Sequence, residues 1–283
     1  MLKLKNGKRM TENLAPRPSN EEHRAKAVVK TGLIDAPKPE IFQVYCDLAK
    51  AITGFETASF SLYDGEMQCA ISATGKDEFE SGAQFERDKN NICSYVLLDT
   101  KPLLMEDIWL DETWRNHPKA MSKTGARGYA GFPVINRDNF ALGTLCMTNS
   151  EPMALSEKTI ILVEKITENI ALLLDVQAEQ KEVTSQKIID ALAVFQGTDN
   201  KFTIDDFKMF LMLSTDFKLD PAGSERLVMS GLCHIGNYNS LQLTKKGIQL
   251  QVKMKLESKP MRKIKLSGDA AESLIDEMFA SLN

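Results

Sequence analysis

The chain has 283 residues, more than one hydrophobic core usually fills, so the sequence predicts two domains. Its 43% hydrophobic and 26% charged residues are typical of a soluble globular protein, and a net charge of −4 favours no class of partner. No apolar run reaches the ~20 residues of a membrane helix, no signal peptide is evident, and the five cysteines lack CxxC spacing. We therefore expect a cytoplasmic protein with reduced thiols and no membrane contact.

The first third of the chain predicts two helices and a hairpin after a polar, proline-marked segment at residues 1–20 that we expect to be disordered. A capping side chain ahead of two glutamates predicts a helix at 21–32. Apolar residues recur at helical spacing over 41–52. Residues 57–63 and 67–73 predict strands joined by Asp-Gly, a dipeptide that favours a tight turn.

A loop, a short helix and another strand are predicted next, over the polar residues 76–90 and then at 91–98 and 103–106. Residues 109–126 carry both tryptophans and no clean periodicity, so we expect a loop there. Apolar segments around 132–135 and 141–147 then flank Asn-Arg-Asp-Asn, whose turn-prone residues predict a second hairpin. Pro133 requires a bulge or an outward-facing amide in this hairpin, because proline cannot donate to a central ladder.

This hairpin carries a family resemblance. Gly-Tyr-Ala-Gly-Phe-Pro-Val at 128–134, followed by Leu-Gly-Thr-Leu-Cys-Met-Thr-Asn at 142–149, resembles the last hairpin of a GAF domain of the bacterial sensor type. Thr-Gly-Leu-Ile-Asp at 31–35 is similar to the opening of such domains. The resemblance, which covers about residues 21–180, implies an α/β fold in which a six-stranded antiparallel sheet lies between helices. It also implies a small-molecule pocket on one sheet face, but fold alone does not fix function.

The resemblance also implies which side chains line that pocket. They are Cys93, Asp107, Trp109, Trp114, Tyr129 and Phe132. Aromatic walls with a few polar groups suit a planar or cyclic ligand. The alternative is an aromatic cluster beneath a loop, with the cavity filled by side chains. No cofactor and no metal ligand set is indicated by the sequence.

A long helical pattern begins at residue 156. Its apolar positions Val163, Ile166, Ile170 and Leu173 recur at three- and four-residue steps, a narrow stripe of coiled-coil type. Because the first and last helices of GAF proteins commonly build a bundle across a two-fold axis, the resemblance implies a homodimer with this stripe as its interface. The alternative is that the stripe packs entirely against the sheet.

The second half of the chain predicts a small α+β domain. Helices are predicted at 188–197, 203–211 and 220–236, and the apolar period then changes to alternation at 248–256, which predicts a strand. A turn, a returning strand at 262–266 and a final acidic helix follow. The predicted domains are a disordered segment (1–20), a GAF sensor domain (21–176), a helical linker (177–187) and a C-terminal domain (188–283).

Helices followed by a two-stranded basic ribbon resemble a winged-helix domain, and Leu-Thr-Lys-Lys-Gly at 243–247 is similar to the phrase that enters the wing in bacterial regulators of that family. The basic residues of the ribbon would contact phosphate without reading sequence. They are Lys245, Lys246, Lys253, Lys255, Arg262, Lys263 and Lys265. The alternative is a solvated sheet face whose lysines protect an edge from aggregation.

These patterns favour a signalling protein in which a GAF sensor binds a small molecule, or mediates dimerisation, and controls an output domain that binds protein or DNA. No catalytic set of residues is evident, so we expect a protein that is not an enzyme. The alternative is a thiol-dependent GAF-fold enzyme such as a reductase of free methionine sulfoxide, which needs cysteines grouped at the pocket. Cys69, Cys93 and Cys146 are predicted on different elements.

Overall fold

The computed structural model describes residues 15–34, 40–75, 82–121, 125–215 and 217–256. It divides into two compact units, Met1–Thr184 and Ser185–Asn283. Residues 1–14 of the predicted disordered segment 1–20 lie outside the described residues, as do the returning strand at 262–266 and the final acidic helix. The prediction is wrong at Ala15, which is buried and whose amide donates to the carbonyl oxygen of Arg87. No helix within the described ranges is long and apolar enough to cross a membrane.

The first unit is a six-stranded antiparallel sheet between helices, which confirms the predicted α/β architecture. The strands are β1 (Thr57–Tyr63), β2 (Met67–Thr74), β3 (Gln84–Glu86), β4 (Leu103–Met105), β5 (Gly128–Ile135) and β6 (Ala141–Asn149), in the spatial order β3-β2-β1-β6-β5-β4. The helices are α1 (Glu21–Thr31), α2 (Gln43–Thr53), α3 (Pro118–Met121) and the first part of α4 (Glu157–Gln196). A 3-10 turn at Glu40–Phe42 precedes α2, and a 3-10 helix at Ile92–Leu98, named the cover helix below, precedes β4.

One face of the sheet, the helix-packed face, forms the main core with α1, α2 and α4. Alternate strand residues point to the same side, so Phe60 and Leu62 of β1 meet Phe132 of β5 and Leu145 of β6 in this core. Pro133 fits into β5 because β4 pairs only as far as Gly131, which leaves the following backbone of β5 free on that side.

The stripe predicted to form a dimer interface lies inside this core. Val163, Ile166 and Ile170 of α4 are buried against the sheet, and Leu173 is half-buried beside them. The predicted interface is therefore wrong in these residues, because α4 uses them to cover the helix-packed face. The homodimer itself stays a prediction.

The second unit combines helices with one hairpin. Its elements are the end of α4, α5 (Ile204–Ser214), α6 (Glu225–Met229), β7 (Cys233–Ile235), a 3-10 turn at Asn237–Asn239, β8 (Leu241–Leu243) and α7 (Lys245–Lys253). Phe195 of α4 packs against Phe207 and Phe210 of α5 at the centre of its core. The predicted linker, residues 177–187, lies within α4, and the predicted domain boundaries stay predictions.

The predicted strand at 248–256 is wrong, because most of this segment is α7. Thr244 caps the helix by accepting a hydrogen bond from the amide of Gly247 at 3.1 Å. Leu250 and Met254 are buried one turn apart, whereas Ile248 and Val252 are exposed, a pattern of period 3.6 rather than 2. The hairpin of the described part of this unit is instead β7–β8, and the predicted third helix is reduced to α6.

A buried carboxylate, paired with a half-exposed arginine, makes the second unit acid-sensitive. Asp206 is 2% exposed and accepts a hydrogen bond from Arg226 Nε at 2.7 Å, while Thr203 N donates to the same carboxylate. Burial raises the pKa of Asp206, but the bonds from Arg226 and Thr203 outweigh it and leave the pKa lowered. A carboxyl with a lowered folded pKa stabilises above its unfolded pKa of ~3.9 and loses this contribution as pH falls through the folded value.

We expect Asp206→Asn to destabilise the second unit at pH 7 by on the order of 2 kcal/mol, mainly because the α5 cap loses its charged acceptor while the half-exposed Arg226 stays solvated. Denaturant melts of the full chain, followed between pH 7 and pH 3, check this. The difference between the two proteins should shrink toward pH 3. A difference that stays constant over this range would contradict the assignment.

Candidate functional site

The other face of the sheet is buried yet polar. Six buried side chains point to it from four neighbouring strands and define the polar face: Ser61, Tyr63, Gln68, Tyr129, Thr144 and Cys146. The opposite face of the same strands carries mainly apolar side chains. Ligand pockets combine apolar walls with a few placed polar groups, so this face is the candidate site of the domain.

The polar face lies beneath the cover helix and the tryptophan-bearing loop. Ile92 and Val96 of the cover helix pack with Tyr129 and Cys146, and Trp109 and Trp114 lie against the same cluster. A side chain at Gly131 would come within 2.6 Å of both Val96 Cγ2 and Tyr129 Oη. The glycine therefore permits the cover helix to approach the sheet closely.

A chain of hydrogen bonds crosses the polar face. Tyr63 Oη and Thr144 Oγ1 are 3.1 Å apart, Cys146 Sγ donates to Thr144 Oγ1 at 3.2 Å, and Tyr129 Oη lies 3.2 Å from Cys146 Sγ. Gln68 Nε2 donates to Ser61 Oγ at 3.0 Å. Burial raises the pKa of the Tyr63 and Tyr129 phenols and of the Cys146 thiol, so all three are neutral and can act as hydrogen-bond donors at pH 7.

Several buried polar atoms around this face have no partner among the described residues. They are Ser94 Oγ of the cover helix, Trp109 Nε1 of the loop, and Nε and Nη2 of Arg87. Arg87 is fully buried, and its guanidinium carbon lies 5.7 Å from the centre of the Tyr63 ring. Buried polar groups are normally satisfied. A ligand with acceptor atoms, bound at this face, would accept hydrogen bonds from these unsatisfied donors.

The tryptophan loop is fixed at one end by Asp107. Its carboxylate pairs with Arg127 and accepts a hydrogen bond from the amide of Trp109 at 3.1 Å. The guanidinium of Arg127 also lies 4.6 Å from the Trp109 ring centre. The bond from Arg127, the largest influence, lowers the pKa of Asp107 despite partial burial. Asp107 therefore orients the loop through Arg127 and the amide of Trp109.

The other end of the loop is held by aromatic contacts. Trp114 meets Tyr95 of the cover helix edge-on, with ring centres 5.0 Å apart. His117 lies 5.4 Å from Trp114, and its Nε2 is 3.1 Å from the carbonyl oxygen of Lys89. These contacts join the loop to the cover helix, so the two segments form one roof over the polar face.

The structure brings together four of the six side chains that were predicted to line the pocket: Cys93, Trp109, Trp114 and Tyr129. Asp107 lies beside them in its pair with Arg127. The prediction is wrong for Phe132, which lies on the helix-packed face because it is an odd number of residues from Tyr129 along β5.

Sequence reasoning missed Arg87, Ser94, Tyr63 and Thr144. A signal was present in β1, where Ser-Phe-Ser-Leu-Tyr alternates polar and apolar side chains although the sheet has cover on both faces. Such alternation normally indicates a solvent-facing side. Arg87 had no signal, because it lies in an irregular segment after β3.

The four predicted nucleic-acid residues that the structure describes lie on or next to a helix and not on a β-ribbon. Lys245, Lys246 and Lys253 lie on α7, and Lys255 follows it with a positive φ of 56°. All four are exposed, and Lys246 Nζ donates to the carbonyl oxygen of Ser230. Arg262, Lys263 and Lys265 lie outside the described residues.

Comparison with known proteins identifies the first unit. The model of the GAF domain family matches residues 38–174. The chain contains a GAF domain. This confirms the resemblance of the sheet and hairpin sequences to that family, and it makes the first unit a sensor domain related to those of signalling proteins.

One curated relative is a cyclic di-GMP phosphodiesterase of Pseudomonas aeruginosa, 28% identical over 152 residues. The match covers 53% of this chain and 25% of that protein. The expectation that the protein is not an enzyme is overturned by this relative, because it is named as an enzyme. The GAF domain therefore does not argue against catalysis.

Solved structures with a similar fold include the chromophore-binding domain of a bacteriophytochrome from R. palustris, at a TM-score of 0.41 and 16% identity over 60% of this chain and 65% of that chain. A free methionine-R-sulfoxide reductase from Thermoplasma acidophilum has a TM-score of 0.40 and 14% identity over 50% of this chain and 94% of that chain. Neither likeness bears on the function of this chain.

Proposed function

We propose that the GAF domain binds a small polar molecule between the polar face and its roof, and that this binding controls the second unit. The observation that carries the proposal is the set of unsatisfied buried atoms of Arg87, Ser94 and Trp109 around a polar sheet face. In a folded domain, such atoms normally have partners. A bound ligand would supply them.

The unsatisfied atoms favour a ligand with acceptor oxygens. Arg87 presents two unpartnered guanidinium nitrogens within the described chain, and Trp109 Nε1 can only donate. The guanidinium fork matches a carboxylate or phosphate, and charged hydrogen bonds of this kind are stronger than neutral ones. Trp109 and Trp114 add flat apolar surface, which suits a compound with a ring.

Substitution of Ser94 separates a ligand contact from a structural role. Ser94→Ala removes a buried hydroxyl that has no partner in the described structure, so the free protein should be as stable as the wild type or more stable. Ligand affinity should fall about tenfold if the hydroxyl binds the ligand. Thermal melts without ligand and calorimetry with nucleotides, amino acids and tetrapyrroles measure the two effects.

Ser61→Ala is the matched control. Ser61 Oγ already accepts a hydrogen bond from Gln68, so its loss should cost the free protein about 1 kcal/mol. Two results together would contradict the proposal. They are a Ser94→Ala protein that is destabilised as much as the Ser61→Ala protein, and an unchanged affinity of Ser94→Ala for every compound that binds the wild type.

Transmission of the signal is assigned to α4. This helix contributes to both units, since it runs from Glu157 to Gln196 across the boundary after Thr184. Its Val163 and Ile170 pack on the sheet whose other face is the polar face. A ligand shifts such a system only if it binds two states with different affinity. The second unit, an output that binds protein or DNA, would respond through this helix.

A homodimer is part of the proposal, but through a different side of α4. Leu162, Leu172, Val176 and Val183 are exposed and recur at steps of ten, four and seven residues along the helix. Exposed apolar side chains in a row along a helix favour contact with a second copy. Light scattering at micromolar concentration tests this, and a monomer at that concentration would contradict it.

The relationship to a phosphodiesterase favours a second candidate, a role in cyclic di-GMP turnover. Incubation of the purified chain with cyclic di-GMP, followed by chromatography of the nucleotide, tests this candidate. A linear product would assign catalysis to this chain. Binding without hydrolysis would make the nucleotide a ligand, and neither binding nor hydrolysis would remove the candidate.

A further inference from the structure

Two thiols from different elements meet on the polar face. Cys93 lies in the cover helix and is half-buried, whereas Cys146 lies in β6 and is buried. Cys93 packs against the buried cluster that contains Cys146 and Tyr129, and Tyr129 Oη is 3.2 Å from Cys146 Sγ. The sequence places these cysteines 53 positions apart, so the fold alone brings them together.

The fold itself brings the cover helix onto the strand that carries Cys146. Cys146 pairs with Gly131 across β6 and β5, and a side chain at Gly131 would collide with Val96 of the cover helix. The helix therefore rests directly on the strand pair at the level of Cys146. Cys93 precedes Val96 by one turn of a 3-10 helix, which places both residues on the side that faces the sheet.

We propose that Cys93 and Cys146 form an oxidisable dithiol, which a peroxide converts into a disulfide bond within the GAF domain. This inference goes beyond the proposed ligand site and does not depend on it. The remaining cysteines are separate from the pair. Cys46 and Cys69 lie on the helix-packed face and Cys233 lies in the second unit.

The chemistry proceeds in two balanced steps. The Cys93 sulfur, after it loses its proton, attacks one oxygen of hydrogen peroxide, the O–O bond breaks, and sulfenic acid and water form. The Cys146 sulfur then attacks the sulfenic sulfur, and the hydroxyl group leaves as water with the Cys146 proton. Two thiols and one peroxide give one disulfide and two waters, and both electrons come from the sulfurs.

Exposure assigns the two roles. Cys93 is the half-buried thiol and is therefore reached first by peroxide, while Cys146 is only 4% exposed. Burial raises the pKa of the Cys146 thiol well above its ordinary value, so this sulfur stays protonated and unreactive toward solvent oxidants. It reacts when a sulfenic acid forms beside it. The resulting bond would tie the cover helix to β6.

The experiment is a peptide map of the full chain. The reduced protein is treated with hydrogen peroxide and then denatured in the presence of an alkylating reagent, which blocks the free thiols. It is digested without a reductant, so that any disulfide bond is kept. We expect one linked pair of peptides, containing Cys93 and Cys146, that separates on reduction, with Cys46, Cys69 and Cys233 alkylated as free thiols. Five free thiols after treatment, or Cys93 linked to any other cysteine, would overturn the proposal.

Three variants test the roles of the thiols. Cys146→Ser should leave Cys93 as a sulfenic acid that dimedone traps, whereas Cys93→Ser should leave Cys146 unmodified. Cys69→Ser, the control, should oxidise like the wild type. Dimedone labelling of Cys146 in the Cys93→Ser protein would contradict the assigned order. These readouts need no ligand, so their failure is distinguishable from failure of the ligand site.

Discussion

Replacement of Ile170 by glutamate is expected to destabilise the GAF domain strongly. Ile170 is fully buried between α4 and the helix-packed face. A carboxylate there would have no cation within the core, and burial of an unpaired charge costs several kcal/mol. A loss of about 4 kcal/mol or more is a large part of the ~5–15 kcal/mol that stabilises a typical domain. Circular dichroism melts would show a Tm lower by on the order of 10 °C or more.

Leu172→Glu is the matched control for this change. Leu172 lies two residues further along α4 but is 60% exposed. The variant should keep the folded spectrum, because a surface charge needs no desolvation. If the homodimer uses the outward side of α4, Leu172→Glu should also give a monomer in light scattering. Equal unfolding by both variants would contradict the placement of the helix.

Arg24→Met is expected to destabilise the GAF domain by about 3–5 kcal/mol, because it breaks a buried network. Arg24 is fully buried and donates to both carboxylate oxygens of Glu21, at 2.8 and 2.9 Å. It also donates to the carbonyl oxygens of Tyr63, Asp64 and Ala141. These bonds join α1 to the β1–β2 turn and to the start of β6. Denaturant melts should show a lower midpoint with an unchanged slope.

Lys26→Met on the same helix provides the comparison. The Lys26 Nζ–Glu22 Oε1 distance is 2.6 Å, but the two side chains are 68% and 76% exposed, so solvent screens the pair and its loss should leave the denaturation midpoint nearly unchanged. If Lys26→Met and Arg24→Met lowered the free energy of unfolding by comparable amounts, the buried role of Arg24 would be contradicted.

The Arg24 network also makes the stability of the GAF domain depend on pH. Burial raises the pKa of Glu21, but hydrogen bonds from Arg24 and Arg87 outweigh burial, so the pKa is lowered. Glu21 therefore stabilises the fold above its unfolded pKa of ~4.3, and this contribution is lost as pH falls through the lower folded value. In Arg24→Met the pKa of Glu21 should rise, so acid unfolding should begin at a higher pH than in the wild type.

The sequence predicts an element correctly where neighbouring residues in the chain determine its structure. Asp64-Gly65 predicts the β1–β2 turn, and Asp64 Oδ1 indeed accepts the amides of Glu66 and Met67. The segment around Leu250 was wrongly predicted as a strand, because its alternating apolar residues also include a helical spacing. The cap at Thr244 favours the helix. Phe132 was wrongly predicted to line the pocket, because the resemblance locates the hairpin but does not say to which face of the sheet each side chain points.

The site could be predicted only in part for a similar reason. The resemblance indicates the roof, where Trp109 and Trp114 lie, because that segment has a fixed place in the family's chain order. The contacts of Arg87 and Ser94 depend on distant segments of the chain. Arg87, for example, reaches Glu21 and the ring of Tyr63. Such partners follow from packing and not from spacing in the sequence.

The ligand site is tested most directly by the fluorescence of the two tryptophans of the chain, Trp109 and Trp114. Both lie in the roof over the polar face, so intrinsic fluorescence reports on that site. Nucleotides, amino acids and tetrapyrroles should be titrated into the full wild-type chain and into Arg87→Met. We expect a compound that changes the wild-type fluorescence saturably and binds the variant at least about tenfold more weakly. Calorimetric binding that leaves the fluorescence unchanged, with equal affinity for both proteins, would contradict the site.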